Sequence, residues 1–293
     1  MKNLFKNKRK TSMRSPLTRW SWLFLGPVVA AFSIGFIWPF IQGIYLSFCE
    51  FKLISDAKFI GFGNYIAALT DDSFLHSFWY TALFAITSLV IINVLAFAVA
   101  YALTQDIKGS NIFRTVFFMP NLIGGIVLGY IWSMIFDGIL SKFGTSILLN
   151  TKLGFWGLII LLCWQQIGYM MIIYIAGLQS VPGDMLEAAE IDGASKIQTL
   201  FRVIIPNVMP SVTICTFLSL TNGFKLFDQN LALTSGEPAH ATEMLALNIY
   251  NTFYGQNIAA QGTAQAKAVL FFILVAGLGL LQLAYTRKRE VQQ

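Results

Sequence analysis

Long apolar runs separated by short polar interruptions organise this chain from end to end. Six runs stand out, at residues 22–48, 78–103, 115–136, 155–178, 208–224 and 268–285. Each matches or exceeds the roughly 17 to 25 residues that a helix needs to cross a hydrocarbon core. The first two are long enough to demand tilt or protrusion beyond the bilayer. The pattern predicts an all-α polytopic membrane protein with six transmembrane helices in one domain, residues 22–285, between tails at 1–21 and 286–293. A secretory leader is the competing reading of the first run, because basic residues precede it and Ala30 and Ala31 could mimic a cleavage site. A leader's apolar core is only about 7 to 15 residues long, whereas this run stays uncharged to Cys49, so it reads as an anchored helix.

Composition strengthens this picture: 56% of the 293 residues are hydrophobic and 12% are charged, against roughly 25% charged in an average soluble domain. Basic residues are retained on the cytoplasmic side of a membrane, so their distribution predicts orientation. With an inside amino terminus, Lys2, Lys6, Lys8, Arg9, Lys10, Arg14, Arg19, Lys108, Arg114, Lys196, Arg202, Arg287, Lys288 and Arg289 are cytoplasmic, and only Lys52, Lys58, Lys142, Lys152, Lys225 and Lys267 are external. Both termini and the segment 181–206 are therefore expected inside. Topology accounts for the net charge of +6 without a nucleic-acid partner. The cluster of Lys6, Lys8, Arg9 and Lys10 could add anionic-lipid contacts worth about 1 kcal/mol per residue.

Several chemistries lack the residues they need. His76, Asp106, Lys225 and Lys267 are expected at or beyond the ends of the runs, which leaves no ionisable group well inside a span to bind or relay a coupling ion. Backbone carbonyls of broken helices can bind sodium, so an ion-coupled carrier is disfavoured and stays open. There is no Gly-x-x-x-x-Gly-Lys-Ser/Thr phosphate loop, no His-rich cluster and no Gly-x-Ser-x-Gly elbow. Cys49, Cys163 and Cys215 lack metal-ligand spacing. A non-enzymatic subunit is expected, with no metal or cofactor of its own and an external source of energy.

Between runs four and five the polar pattern changes. Asp184 is expected to cap a helix starting near Met185, with Glu187 in its first turn, where acidic groups favour the positive end of the helix dipole. Gly193 should end that helix by entering the left-handed region. Ile197, Leu200, Phe201 and Ile204 then form an apolar stripe on a second short helix, which Pro206 is expected to close. Small residues at Ala188, Ala189, Ala194 and Ser195 surround the turn and would let another protein approach closely. An ordinary loop with helix-favouring alanines remains the alternative on physical grounds alone.

This segment resembles the signature loop of binding-protein-dependent ABC import permeases: Glu-Ala-Ala, three residues, Gly, nine residues, then Ile-x-Leu-Pro. The matching positions are Glu187, Ala188, Ala189, Gly193, Val203, Ile205 and Pro206, with Val and Ile as the two departures. The resemblance implies a coupling helix that docks on a cytoplasmic ATPase subunit through Glu187, Ala188, Ala189, Asp192, Gly193, Ala194 and Ser195. Nearly the whole chain is also similar to carbohydrate permeases of the maltose and multiple-sugar type. The likeness runs through Pro39, Phe40, Ser47 and Phe48, residues 59–65, 114–120 with Trp132, 178–182, and Phe227, Asp228 and 233–238, where Glu237 replaces the usual glycine. The short segment between the first two spans makes it similar to compact Gram-positive subunits, such as those importing raffinose, melibiose or isomalto-oligosaccharides. The implied partners are a second permease subunit, most simply as a heterodimer, two ATP-binding subunits that hold ATP and Mg, and an extracellular sugar-binding protein in a bacterial plasma membrane.

An uncharged polyol requires donors and acceptors for its hydroxyls and apolar faces for its ring C–H groups. Thr213, Thr216, Ser219 and Asn222 recur at three-residue intervals on one face of span five, and Trp164, Gln165, Gln166 and Tyr169 offer amides and rings in span four. The plainer role for such residues is helix packing, at about 0.6 kcal/mol per contact, and it is the expected role of Thr213 and Thr216. Resemblance to maltose-type permeases moves Asn121, Gly125, Gln165, Gln166, Tyr169, Ser219, Asn222 and Gly223 towards substrate binding. Glycerol phosphate is the runner-up cargo; as a dianion it would need a cation in the path, and Lys225 is the nearest.

Overall fold

The computed structural model describes residues 16–105, 107–255 and 260–287, with side chains from 22 to 284 within those ranges. The lysine and arginine cluster at residues 6–10 lies outside them, as does Asp106. The chain opens with helix α1 (Pro16–Phe32), which continues through a π-helical turn, Ser33–Ile37, into α2 (Trp38–Leu46). A two-residue antiparallel pair follows, β1 (Cys49–Glu50) with β2 (Lys58–Phe59), in register Cys49 to Phe59 and Glu50 to Lys58. After α3 (Gly63–Leu69) comes α4 (Asp72–Leu103), which starts earlier than the apolar run because the Asp71 carboxylate caps it by accepting from the Ser73 N–H at 2.9 Å.

Among the described residues, five helices are long and apolar enough to cross a membrane, and a bent pair, residues 196–207 and 209–224 meeting at 72°, is a sixth candidate. The central helix is α7 (Thr151–Gln179), packed along α4, with buried Leu, Ile and Met side chains and buried glycines. The α1–α2 span lies at the periphery with its apolar side chains exposed, as a lipid-facing helix requires. The last helix, α14 (Gln261–Arg287), packs on α11 (Met209–Phe224), and its Gln282 amide donates to the Thr213 carbonyl at 3.2 Å.

The third expected span is not one helix. It divides into α5 (Ser110–Phe118), a 3-10 turn at Met119–Leu122, and α6 (Gly125–Leu140). Pro120 has no N–H to continue the ladder, and Ile123 and Gly124 take an extended backbone before α6 begins. The break is tolerable in a low-dielectric setting because the freed Ile123 carbonyl accepts from Gln165 Nε2 at 3.2 Å. Gly168 of α7 lets the α5 backbone pass at van der Waals contact: a Cβ there would lie 1.8 Å from the Phe117 carbonyl oxygen.

Lys267 also departs from expectation. Instead of lying beyond the sixth span, it sits in the second turn of α14 and is 1% exposed. Its ammonium donates to Asp71 Oδ2 at 2.6 Å, Asn248 Oδ1 at 2.9 Å and Thr252 Oγ1 at 2.9 Å, and lies 5.3 Å from the centre of the Phe74 ring. A buried ammonium is tolerated when its donors are all used and a carboxylate balances it, and both conditions hold here. Burial alone would raise the Asp71 carboxyl, but Lys267 and the backbone N–H groups of Ser73 and Phe74 hold it below the usual carboxylate range. Asn248 and Thr252 belong to α13 (Leu245–Tyr254), and Asn248 also donates to buried Glu243 at 3.2 Å, so one polar network clamps α13 against α4 and α14. Glu237 closes its own turn by accepting from the Ala239 N–H at 2.9 Å.

Candidate functional site

Two regions carry the residues singled out above. At the end of the bundle where α7 finishes, helix α8 (Gly183–Ile191) begins after Pro182, with Asp184 inside its first turn rather than at the cap position. Proline at the cap leaves no side-chain acceptor there, so Asp184 contributes through the helix dipole alone. Gly193 adopts φ +73° and ends the helix as expected. The Ala194 N–H reaches the Ala189 carbonyl at 2.9 Å and the Gly193 N–H reaches Glu190 at 3.0 Å, the paired bonds of a Schellman turn.

Ser195 has a role that composition alone did not reveal. Its hydroxyl accepts from the Gln198 N–H at 3.3 Å while Gln198 Oε1 accepts from the Ser195 N–H at 2.8 Å, a reciprocal capping box. The signal was present as Ser followed three residues later by Gln. The helix it starts runs through α9 (Lys196–Thr199), a π-helical turn Leu200–Ile204 and α10 (Ile205–Asn207). The helix ends at Asn207, one residue beyond Pro206 and close to the expected end. The break falls at Val208, before Pro210 in α11.

Glu187, Ala188, Asp192, Gly193 and Ser195 are exposed on this hairpin, Ala194 is half-buried, and Ala189 is buried beneath it. Three of its apolar residues are left uncovered: Ile191 is 86% exposed, Ile197 70% and Phe201 63%, whereas Leu200 and Ile204 are half-buried.

The second region is a cavity of about 250 Å³ lined by Leu162, Gln166, Asn222, Lys225, Leu226, Phe227, Asp228 and Gln229. Leu162 and Gln166 lie midway along α7, so the cavity opens at the middle of the bundle. The reason is the length of α11: 16 residues rise about 24 Å, short of a hydrocarbon core of about 30 Å. The chain turns there and enters α12 (Asp228–Leu233), which packs against α6. Lys225 and Asp228 therefore sit at mid-depth rather than beyond the end of a span.

The expected substrate residues separate into two groups. Gln166 and Asn222 line the cavity and are joined by an Asn222 Nδ2 to Gln166 Oε1 bond of 3.2 Å. Gln165 is buried behind the lining, donating to the Ile123 carbonyl and accepting at 2.7 Å from Nε2 of Gln229, which lines the cavity. Ser219 is buried and accepts from Asn93 Nδ2 at 3.0 Å, and Asn93 Oδ1 accepts from the Tyr174 hydroxyl at 2.6 Å, a link across α4, α7 and α11. Gly125 and Gly223 are points of close helix contact: a Cβ would lie 2.7 Å from Asp228 Cβ in the first case and 2.9 Å from Ala85 Cα in the second. Asn121 and Tyr169 are half-buried and are not part of the cavity lining. Thr213 and Thr216 donate to the carbonyls of Met209 and Val212, four residues back, at 3.0 and 2.6 Å, and make no cavity contact. The three-residue stripe on α11 is thus mostly packing, and Asn222 alone of its members reaches the cavity. Among the described residues no group of three or more His, Cys, Asp or Glu side chains could hold a metal ion.

Residues 105–291 match the family described as the binding-protein-dependent transport system inner membrane component. Over 281 residues, covering 93% of this chain and 96% of the relative, the sequence is 42% identical to the probable starch degradation products transport system permease protein AmyD of Thermoanaerobacterium thermosulfurigenes. It is 32% identical to the multiple sugar-binding transport system permease protein MsmF of Streptococcus mutans, covering 93% of this chain and 97% of that one. In structure it is similar to a chain of a bacterial ABC transporter involved in import of the acidic polysaccharide alginate, with a TM-score of 0.79, 18% identity, and 93% of this chain and 97% of that chain covered. With the multi-pass bundle, the exposed hairpin before its fifth crossing and a match across well over half its length, this chain belongs to the binding-protein-dependent transport system inner membrane components.

Proposed function

We propose that this chain is one of two permease subunits of an ATP-driven importer that receives a small oligosaccharide from an external binding protein and passes it across the plasma membrane. The observation that carries the reading is the mid-bundle cavity, whose lining includes a paired amide couple, Gln166 and Asn222, together with Phe227. Amides present both donors and acceptors to sugar hydroxyls, and a ring covers apolar C–H faces. The 42% identity with a permease named for starch degradation products supports a glucose-based oligosaccharide as the cargo class. The exposed hairpin from Glu187 to Ser195, with Ile191 and Phe201 uncovered beside it, is the docking element for one of two cytoplasmic ATPase subunits, which bind the ATP and Mg. The second permease subunit is a different chain that completes the substrate path.

Truncating a cavity amide leaves buried sugar hydroxyls unpaired, at a cost of about 1 to 3 kcal/mol, or roughly five- to a hundredfold in apparent affinity. Gln166→Ala and Asn222→Ala are therefore expected to weaken uptake at limiting sugar while the complex still co-purifies. Gln165→Ala should instead lower the yield of complex, because it removes the support of the broken span. Normal uptake by both cavity variants in proteoliposomes would show that the cargo does not touch this cavity.

Both termini and the Ser195 hairpin are assigned to the cytoplasmic side from the basic-residue asymmetry. In a background without native cysteines, a thiol at Ala239 should react with an impermeant reagent from outside and one at Ser195 should not. The reverse pattern would invert the assignment.

A further inference from the structure

Two charged side chains share the central cavity with the amides. Lys225 and Asp228 lie three residues apart on the turn between α11 and α12, and both line the cavity. Among the described residues, neither the Lys225 ammonium nor the Asp228 carboxylate has an ion-pair or hydrogen-bond partner. The other mid-cavity polar groups are engaged: Gln229 donates to Gln165, and Asn222 to Gln166. Charged groups at mid-membrane depth are costly, and they persist where they meet a substrate or one another. The Asp228 backbone is fixed in place, since its Cβ lies against Gly125 of α6 so closely that a methyl group there would sit 2.7 Å away.

We propose that Lys225 and Asp228 are a charge-balanced pair that binds the hydroxyls of an uncharged sugar, and that Asp228 is the residue that keeps anionic cargo out. The inference rests on the oligosaccharide reading of the cavity. A carboxylate accepts from two neighbouring hydroxyls and an ammonium donates to a hydroxyl oxygen, and both are stronger partners than a neutral amide. Without Asp228, Lys225 would be an unbalanced cation in a low-dielectric path and would draw phosphates and uronates. With it, an anion meets a like charge as it reaches the cation, which is how an interface rejects the wrong partner. Phe227, which lines the same cavity, offers an apolar ring for the sugar face, and that ring packs on Tyr250 at 5.3 Å.

The test is equilibrium binding of maltotriose, and of maltotriose carrying a terminal glucuronate, to the purified full complex in nanodiscs without the binding protein. The wild-type complex is expected to prefer the neutral sugar by about tenfold or more, and Asp228→Asn to reduce that preference by about tenfold while weakening neutral binding several-fold. Asp228→Glu should keep the preference. Because Lys225 is exposed, Lys225→Gln provides a variant that does not disturb the core, and it should weaken glucuronate binding more than neutral binding. An unchanged neutral-to-anionic ratio in Asp228→Asn, or unchanged affinity for both sugars in Lys225→Gln, would overturn the proposal while leaving the oligosaccharide reading intact. If the wild-type complex binds neither sugar, that reading fails and the proposal fails with it.

Discussion

Replacing Gly168 with alanine is expected to lose most of the assembled subunit. The added methyl carbon would sit 1.8 Å from the Phe117 carbonyl oxygen, 2.2 Å from its carbon and 2.7 Å from the Phe118 nitrogen. All three are backbone atoms, so no side-chain rotation can relieve the overlap, and α5 must move away from α7. That movement pulls the 3-10 turn off Gln165 and leaves the Ile123 carbonyl without its 3.2 Å donor. Overpacking typically costs about 1 to 3 kcal/mol when side chains can adjust, and a backbone clash falls at or above the upper end. Gly138 is the matched control, because it also lies in a helix and a Cβ there meets nothing within 4 Å. The yield and melting temperature of the purified complex measure the effect: a sharp fall is expected for Gly168→Ala and none for Gly138→Ala. Wild-type yield and stability in the Gly168 variant would mean that α5 and α7 do not touch there.

Gly193→Val should give the opposite phenotype, a stable subunit that no longer couples. A Cβ at Gly193 would meet nothing within 4 Å, so the substitution acts only through the backbone. At φ +73° an L side chain costs roughly 1 to 2 kcal/mol, and a β-branched one is tolerated least. The strain falls on the two bonds that end α8, Ala194 to Ala189 and Gly193 to Glu190, and so on the angle between α8 and the helix that Ser195 caps. The spans are remote from this turn and should insert and pack normally. On the proposed docking role, sugar-stimulated ATP hydrolysis by the reconstituted complex should fall towards its unstimulated level. Gly193→Asn should retain much of it, because asparagine enters the left-handed region more readily. Full stimulation in the valine variant would remove the hairpin from the coupling path.

The division between these two residues reflects what a linear pattern can carry. Membrane insertion of a helix depends on the summed transfer free energy of one continuous run, so the runs at 155–178 and 208–224 predict α7 and α11 to within a few residues. Local backbone chemistry is equally legible: Gly193 had to end α8, and the Glu-Ala-Ala spacing around it already pointed to an import permease. Ser195 with Gln198 could have been read by the same logic, since a capping box involves only neighbours in the chain.

Properties that depend on pairs of distant residues were decided by the tertiary structure. The break in the third span is stable because Gln165, from another helix, satisfies Ile123, and only the fold brings the two together. Lys267 looked like a residue at a span end, yet it is buried because Asp71, nearly two hundred positions earlier in the chain, supplies the countercharge. Gln165 and Gln166 are adjacent and chemically identical, but consecutive residues on a helix point about 100° apart, so one supports the bundle and the other faces the cavity. Sequence periodicity alone could not separate them, because the face that matters is defined by what packs against it.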